Sequence, residues 1–266
     1  MKDYCSFFSV ERMANVFEVT RSGYYAWLKR PLSNRAKEDM RLTLEIRALF
    51  EKSKRRSGSP KIMNALRRNG MKISRKRVCR IMRKNGLRSC IRKKYRVTTD
   101  SRHTYPVAPN LLNRRFTVSN PNLVWVSDIT YLKVGNRWMY LVVFIDLYSR
   151  MVVSWALSGT LDHQFVLDAF KRALWQRRPP KGLMVHSDRG VQYACDTFQN
   201  AVNTSGCIQS MSRKGNCWDN AVAESFFHLF KSELGEEFSD NHSAYQDIFE
   251  YIEIDYNRQR THETAL

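Results

Sequence analysis

The sequence has no paired cysteines and, in its first 100 residues, no histidine. Its six cysteines lie singly along the chain, and no two of them form a CxxC pair. A disulfide framework needs several cysteines at regular spacings, and a structural zinc site needs clustered Cys and His ligands. We therefore expect reduced thiols, no disulfide framework and no zinc module.

Long apolar runs are also missing. No stretch of 18 apolar residues occurs, and the N-terminus shows no signal-peptide pattern. A helix that crosses a bilayer needs about 20 apolar residues in a row. We therefore predict a cytoplasmic protein with no membrane partner.

Acidic residues are absent between Lys52 and Arg96, a stretch that contains 19 Lys and Arg residues. Residues 1–100 hold 28 basic and 8 acidic side chains, whereas residues 101–266 hold 17 of each. The whole net charge of +20 therefore lies in the first 100 residues. Positive charge combined with periodic apolar residues is typical of a folded nucleic-acid-binding unit. We expect this unit to bind nucleic acid and to associate the protein with the nucleoid.

Two helices joined by a short turn are predicted inside this basic region. Residues 60–69 show helical periodicity up to Gly70, and Ser74 is a candidate N-cap of a second helix over 74–84. A helix-turn-helix unit presents its second helix to DNA. A plain three-helix bundle with a basic surface is the alternative. The candidate DNA contacts on the second helix are Arg75, Lys76, Arg77, Arg80, Arg83 and Lys84.

Composition divides the chain into four predicted segments. Residues 1–35 form a short helical segment, with a small helix-turn-helix and a plain helical hairpin as alternatives. Residues 36–100 form the basic helix-turn-helix domain, which begins with a helix over 36–52 whose core would include Met40 and Leu44. Residues 101–122, rich in Pro and Asn, form a linker. Residues 123–266 form a second domain with strands.

From Leu123 the hydrophobic pattern changes to that of strands. Three runs rich in β-branched and aromatic residues follow each other with short connections, which predicts consecutive antiparallel strands. The remaining pattern gives the order β-β-β-α-β-α-β-α. The fold class is therefore α/β, with a mixed five-stranded sheet and helices on both faces. This order matches a ribonuclease-H-like fold, here preceded by an all-α helix-turn-helix region.

Three acidic residues stand out in this second domain. Asp128 lies inside the first strand, where its alternate neighbours are apolar, and Asp188 ends the fourth strand. Glu224 lies on the last helix, for which Asp219 is the expected N-cap. If the first and fourth strands are neighbours, the three carboxylates meet, and they repel one another unless a cation joins them. Such oxygen ligands suit Mg²⁺, with Mn²⁺ as the alternative, and two ions would support phosphoryl transfer.

Other polar and aromatic residues near these acids have more ordinary interpretations. Asp146 precedes a tight connection and is expected to hold a turn rather than a metal. His186 is expected to pack or to support the site rather than to transfer protons. Arg213 and Lys214 form a basic loop that is predicted to contact phosphate. Trp218 is expected to pack, with stacking on a base as the alternative.

Four segments of the second domain, WVSDITYL, FIDLYSR, VHSDRGVQY and DNAVAESFFHLFK, resemble the DDE catalytic core of insertion-sequence transposases with a retroviral-integrase-like core. The upstream segment SGSPKIMNALRRNGMKISRKRVCRIMRKNGL resembles the helix-turn-helix region of the same family, in which the second reading frame encodes this product. The resemblance implies that residues 123–266 are the integrase-like catalytic core. It implies that Asp128, Asp188 and Glu224 are the metal-binding catalytic triad and that Lys231 contacts DNA near the scissile phosphate.

The resemblance also implies an activity and partners. The activity is cleavage of double-stranded DNA at the element ends, followed by strand transfer to target DNA. Joining two ends implies a homo-oligomer on DNA, and the family implies fusion to or partnership with an upstream-frame product. The family pattern continues past the segment YNRQRTHETAL, which predicts a truncated tail in this chain. A DNA-binding regulator or inactive remnant that occupies element ends without cutting is therefore one alternative, and a nuclease of the same fold is another.

Overall fold

A computed structural model describes residues 1–89 and 105–260. The chain divides into two compact units, residues 1–89 and 90–266. The last part of the predicted helix-turn-helix segment and the end of the predicted tail lie outside the described residues. Within the ranges that are described, no helix is both long and apolar enough to cross a membrane.

The first unit is helical, as the sequence predicts. A 3₁₀ turn at Lys2–Tyr4 precedes five helices, and polar side chains cap four of them because each accepts a hydrogen bond from a backbone N–H three residues on. The capping residues are Ser9, Thr20, Ser33 and Ser74. The helices are α1 (Val10–Val16), α2 (Arg21–Lys29), α3 (Asn34–Lys52), α4 (Ser59–Arg68) and α5 (Arg75–Lys84).

Helices α3, α4 and α5 share one core, which includes the predicted helix pair. Gly70 has φ of +82° and ends α4 in the left-handed conformation that glycine tolerates best. Helix α3 contributes Leu42, Ile46 and Phe50 to this core, and these residues are spaced four apart. The expectation for Met40 and Leu44 was wrong, since both side chains are exposed. Two residues along a helix correspond to about 200°, so these side chains point away from the buried stripe.

The second unit contains a mixed sheet in the order β3-β2-β1-β4-β5. Strands β1 (Val124–Val134), β2 (Arg137–Asp146) and β3 (Val152–Ser158) are antiparallel neighbours, whereas β4 (Met184–Ser187) and β5 (Ile208–Met211) run parallel to β1. This is the ribonuclease-H-like order that the sequence predicts. A sixth strand of two residues, β6 (Glu237–Phe238), pairs with the far end of β1 and was not predicted.

Helices cover both faces of this sheet, so each face has its own core. On one face α6 (His163–Arg177), the short α7 (Val191–Ala194) and α8 (Asp196–Thr204) pack over Trp125 and Phe144. On the other, α9 (Ala221–Glu233), α10 (Asn241–Phe249) and a π-helix at Glu250–Gln259 pack over Val126 and Val143. Because successive residues of a strand face opposite sides, β1 supplies both cores.

The segment before β1 lies against the sheet. Leu112 is buried in the core beneath α9, and the backbone N–H groups of Leu111 and Leu112 donate to Ser210 Oγ at 2.9 and 3.2 Å. The Gln199 side chain of α8 donates to the backbone carbonyl of Pro106. The residues from 105 to 122, predicted as a linker, therefore include a part that is anchored to the second unit.

Candidate active site

Strand pairing brings Asp128 and Asp188 to the same place. In the parallel register of β1 and β4, Val126 pairs with His186. Asp128 and Asp188 each lie two residues beyond this pair, on the same side of the sheet. Neighbouring strands are about 4.8 Å apart, so the two carboxylates are adjacent where β4 ends.

Helix α9 carries Glu224 in its first turn, next to the same edge. The start of this helix is tied to β1 because the Asn220 side-chain amide donates to the backbone carbonyl of Ser127 at 3.0 Å. Ser127 directly precedes Asp128, and Glu224 follows Asn220 by one helical turn. The half-buried Glu224 side chain therefore belongs to the same region as the two aspartates.

The three acids share one electrostatic environment. Burial raises the pKa of Asp128 well above its usual range, and the neighbouring Asp188 and Glu224 raise it further, whereas Lys231 lowers it. Burial also raises the pKa of Glu224. The direction of these shifts shows carboxylates that lack compensating positive charge.

Backbone groups orient both aspartates. The Ile129 N–H donates to Asp128 Oδ1 at 2.8 Å, and the Gly190 N–H donates to Asp188 Oδ1 at 2.9 Å. A Cβ atom at Gly190 would lie 3.1 Å from that same Asp188 oxygen, so a side chain here would press on the carboxylate. Glycine at residue 190 thus leaves the Asp188 carboxylate uncrowded in the turn after β4.

The residues present suit a hard divalent cation. Carboxylate oxygens are the ligands that Mg²⁺ prefers, and clustered carboxylates need a cation to relieve their repulsion. The buried Asn220 Oδ1 has no hydrogen-bond partner among the described residues, which leaves an unused oxygen acceptor beside this cluster. As placed, no three Asp, Glu, His or Cys side chains within residues 1–89 and 105–260 are close enough together to hold an ion.

Two neighbouring residues have the ordinary roles that the sequence predicts. His186 is fully buried between Ser210 Oγ at 2.9 Å and Ser212 Oγ at 3.2 Å, and burial lowers the pKa of His186 to about 4. Asp146 accepts hydrogen bonds from the N–H groups of Asn122 and Ser149, which holds the turn between β2 and β3. The expectations of a packed histidine at 186 and a turn-forming aspartate at 146 are therefore confirmed.

Basic side chains on α5 fall into two groups. Arg77 forms ion pairs with Glu38 and Asp39 of α3, and Arg80 also pairs with Asp39. These two arginines thus join α5 to α3 in addition to any role toward DNA. The other four candidates on this helix are exposed to solvent, and they are Arg75, Lys76, Arg83 and Lys84.

Basic residues near the carboxylates also differ in their contacts. Lys231 is half-buried on α9, where it pairs with Glu236 at 3.3 Å and is near enough to Asp128 to affect its pKa. Arg213 donates to both oxygens of Asp219, at 2.8 and 2.7 Å, whereas Lys214 is exposed.

Family models match three parts of the chain. A model described as an HTH-like domain matches residues 37–95. Two models described as an integrase core domain match residues 118–217 and 224–265. The first covers Asp128 and Asp188, and the second begins at Glu224.

Curated relatives match nearly the whole chain. Transposase InsF for insertion sequence IS3A of Escherichia coli K12 is 39% identical over 259 residues, which cover 96% of this chain and 90% of that protein. The chain belongs to the IS3-type insertion-sequence transposases. The insertion element IS600 31 kDa protein of Shigella sonnei is 41% identical over 252 residues, which cover 94% of this transposase and 93% of that protein.

Solved structures match more distantly. The catalytic domain of Mos1 mariner transposase is 16% identical with a TM-score of 0.42, over 52% of this transposase and 73% of that chain. The HTLV-2 integrase catalytic core in complex with magnesium is 21% identical with a TM-score of 0.35, over 42% of this transposase and 68% of that chain.

Sequence reasoning missed one buried charge cluster beside the site. Asp219 is not the N-cap of α9: it lies in a 3₁₀ turn at Cys217–Asn220 with its carboxylate fully buried. Arg213 and Arg114 both pair with it, and Asn110 donates to it at 2.8 Å. The partners are up to 109 residues away in the sequence, so only the fold reveals this cluster.

The two tryptophans next to the acids behave differently. Trp125, which lies three residues before Asp128, is fully buried in the core. Trp218 does not pack, contrary to expectation, because it is 69% exposed on the 3₁₀ turn that precedes α9. Its neighbours Asp219 and Asn220 occupy the buried side of that turn.

Proposed function

We propose that this transposase cleaves DNA at the element ends and joins the freed strand to target DNA, with Asp128, Asp188 and Glu224 as its catalytic, metal-binding acids. The observation that carries the proposal is the β1–β4 register, which puts two half-buried aspartates side by side next to the helix of Glu224. Family membership supports DNA transposition as the biological outcome.

In this proposal Asp128, Asp188 and Glu224 hold two divalent cations, Mg²⁺ or Mn²⁺. Bound there, such ions would activate the attacking oxygen and stabilise the leaving oxygen of an in-line displacement at phosphorus. The backbone N–H groups of Ile129 and Gly190 fix the orientation of the two aspartate carboxylates that would hold the ions. The Asn220 hydrogen bond to β1 fixes the start of the helix that carries Glu224.

The basic residues bring DNA to this acidic site. Carboxylates alone repel phosphates, so attraction has to come from basic side chains and from bound cations. We assign this attraction to the exposed side chains of α5 and, within the second unit, to Lys231, Lys214 and Arg213. Lys231 lies near Asp128, which is where the scissile phosphate would bind.

The assembly follows from the reaction. Joining two element ends requires at least two copies of the active site on DNA, so we propose a homo-oligomer on double-stranded DNA. We also propose that the upstream-frame product of the element is fused to or associated with this chain, and that DNA binding keeps the protein at the nucleoid. For the domains, we propose a helix-turn-helix domain over residues 36–100 and a catalytic core over residues 123–266, joined by a linker over residues 101–122.

A strand-transfer assay with labelled element-end DNA and Mg²⁺ tests the proposal. We expect Asp128→Ala, Asp188→Ala and Glu224→Ala each to lower joined product at least 1,000-fold, since each removes charge that only the reaction needs. DNA binding should stay within about threefold of the parent, because phosphate contacts supply most of the affinity.

A matched control is Asp168→Ala on α6, an exposed carboxylate on the opposite face of the sheet, which should transfer strands normally. Retained transfer in any of the three acid variants contradicts the assignment. Cleaved but never joined DNA would indicate a nuclease, and binding without cleavage would indicate a regulator, an alternative that family membership does not favour.

A further inference from the structure

Trp218 is a large apolar side chain held in solvent beside the carboxylates. It is 69% exposed, although the two residues that follow it are buried. Single exposed apolar side chains are common on protein surfaces. Trp218 differs from the others by its place on the turn that leads into the helix of Glu224. It takes no part in the proposed reaction, so we ask what this position could bind.

The backbone that carries Trp218 is anchored on its buried side. Asp219 is locked by Arg213 and Arg114, and Asn220 donates to the backbone carbonyl of Ser127. These contacts fix the turn at Cys217–Asn220 relative to β1. The backbone position of Trp218 is therefore set before any ligand binds, so that mainly its side chain has to be ordered on binding.

Trp218 lies close to Glu224 along the chain. It precedes Glu224 by six positions, on the turn that leads into the same helix. At 1.5 to 2 Å per residue this corresponds to about 10 Å of backbone along the helix axis. Successive bases in DNA are about 3.4 Å apart, so about three nucleotides span this backbone distance.

The charges around the turn favour DNA over another protein surface. Lys214 precedes the turn and is exposed, whereas Arg213, also exposed, pairs with Asp219. Lys231 of α9 pairs with Glu236 and is half-buried. Aromatic rings combined with basic side chains are how proteins bind unpaired nucleotides, since bases stack on the ring while cations bind phosphates. A surface for a second protein copy would instead surround the ring with apolar neighbours.

We propose that Trp218 stacks on an exposed base face at the DNA terminus, a few nucleotides from the phosphate that reacts. The face belongs either to an unpaired terminal nucleotide or to the last base pair of the duplex. Trp218 is then a positioning residue that holds the DNA end in register with the acids. This inference rests on the proposed function, which it deepens.

The test uses end DNA with 2-aminopurine at the terminal nucleotide, whose fluorescence falls when it stacks. The full-length chain is used with Asp128→Asn in the background, so that binding is measured without reaction. We expect binding to quench the fluorescence, and Trp218→Ala to abolish the quench and weaken end binding about 5- to 100-fold. Trp218→Phe should restore most of both, because a ring remains.

The matched control is Trp175→Ala, since Trp175 is 74% exposed on α6 at the opposite face of the sheet. It should leave the quench intact. Ends with an unpaired terminal nucleotide are compared with blunt ends, and the stronger quench identifies which base face is bound.

An unchanged quench in Trp218→Ala overturns the inference. It is also overturned if Trp218→Phe and Trp218→Ala lose the quench equally while both variants keep a normal circular dichroism spectrum. Self-association that falls in Trp218→Ala while the quench stays would assign the ring to a contact between copies. Failure of the proposed function is seen separately: the parent chain would then quench 2-aminopurine without joining strands in Mg²⁺.

Discussion

At the scale of single residues, two aspartates in this region differ in their partners: Asp128 lies among other acids, whereas the negative charge of Asp219 is balanced by arginines. Asp128 is close to two other acids and has a raised pKa. Asp219, by contrast, is more buried than Asp128 but has two arginine partners. Burial alone therefore does not decide the state of a carboxylate here, because its partners do.

The Asp219 cluster gives a prediction for stability and its pH dependence. Arg213 donates to the Asp219 carboxylate and, together with Arg114, holds its pKa well below the usual range in spite of burial. A lowered pKa in the folded state adds stability that is present above the unfolded pKa of about 3.9 and is lost as pH falls below it. We expect Asp219→Asn to lower the free energy of unfolding at pH 7 by about 2 to 3 kcal/mol.

Urea unfolding at several pH values measures this effect. The difference between Asp219→Asn and the parent should shrink as pH drops below about 4, since the unfolded parent then binds a proton that the folded Asp219 carboxylate, with its lowered pKa, does not bind. Asp168→Asn, which alters an exposed carboxylate, should stay within about 0.5 kcal/mol of the parent at every pH. A difference for Asp219→Asn that stays constant from pH 7 to pH 3 would contradict the charge explanation.

At the scale of elements, the π-helix Glu250–Gln259 protects the edge of the sheet. Strand β3 has β2 on one side only, and an edge strand left open can pair with other chains. The Asn257 side chain accepts from the Val152 N–H and donates to the Val152 carbonyl, both at 2.9 Å. The Trp155 indole N–H donates to Glu253 at 3.0 Å. The π-helix thus replaces the missing strand partner of the Val152 backbone and makes a further side-chain contact with β3 at Trp155.

Removal of this contact should be measurable at one amide. We expect Asn257→Ala to lower the free energy of unfolding by about 1 to 2 kcal/mol, because two backbone hydrogen-bonding groups lose their partner. Hydrogen exchange at the Val152 amide should become faster by a larger factor than at the central strand β1. Gln259→Ala, an exposed change on the same π-helix, should alter neither quantity. If the Val152 amide keeps its protection from exchange in Asn257→Ala, the Asn257 hydrogen bonds are not what stabilises the edge strand β3.

At the scale of the whole molecule, charge and chemistry are divided between two units. The net positive charge lies in the first 100 residues, whereas the three proposed catalytic acids lie in the second unit. Phosphate contacts release counterions, so binding through the first unit depends steeply on salt. The second unit adds the chemistry, and the charges of residues 101–266 within it balance.

This division predicts which basic residues set the salt dependence of DNA binding. Arg75 and Lys76 are exposed, so the double variant Arg75→Ala/Lys76→Ala should reduce the slope of log K against log salt by about 2. Arg77, the next residue, has its guanidinium on Glu38 and Asp39. Arg77→Ala should change the slope by less than about 0.5 and mainly lower thermal stability.

Fluorescence anisotropy from 50 to 300 mM salt measures the slopes. Comparison of these adjacent residues separates cations that bind phosphate from a cation that joins two helices. Equal slopes for the parent and the double variant would remove α5 from the DNA-binding surface.

The sequence by itself determined the order of elements and the identity of the acids to test. The helix cap Ser74 and the strand run over 137–146 are local signals, and the structure has elements at those places. Hydrophobic periodicity was less reliable for choosing a buried face, as Met40 and Leu44 show. Both stripes of α3 have apolar residues, and only contact with α4 and α5 selects one of them.

Only the tertiary structure decided what surrounds the acids. Four features depend on residues far apart in the chain. They are the β1–β4 register, the buried cluster of Asp219, the hydrogen bonds between Asn257 and Val152, and the exposure of Trp218. No local pattern marks Asp219 as buried, because its burial is compensated by Arg114, which is 105 residues away. Local sequence fixes which conformations a segment prefers, whereas compensation of charge and polarity is a property of the packed molecule.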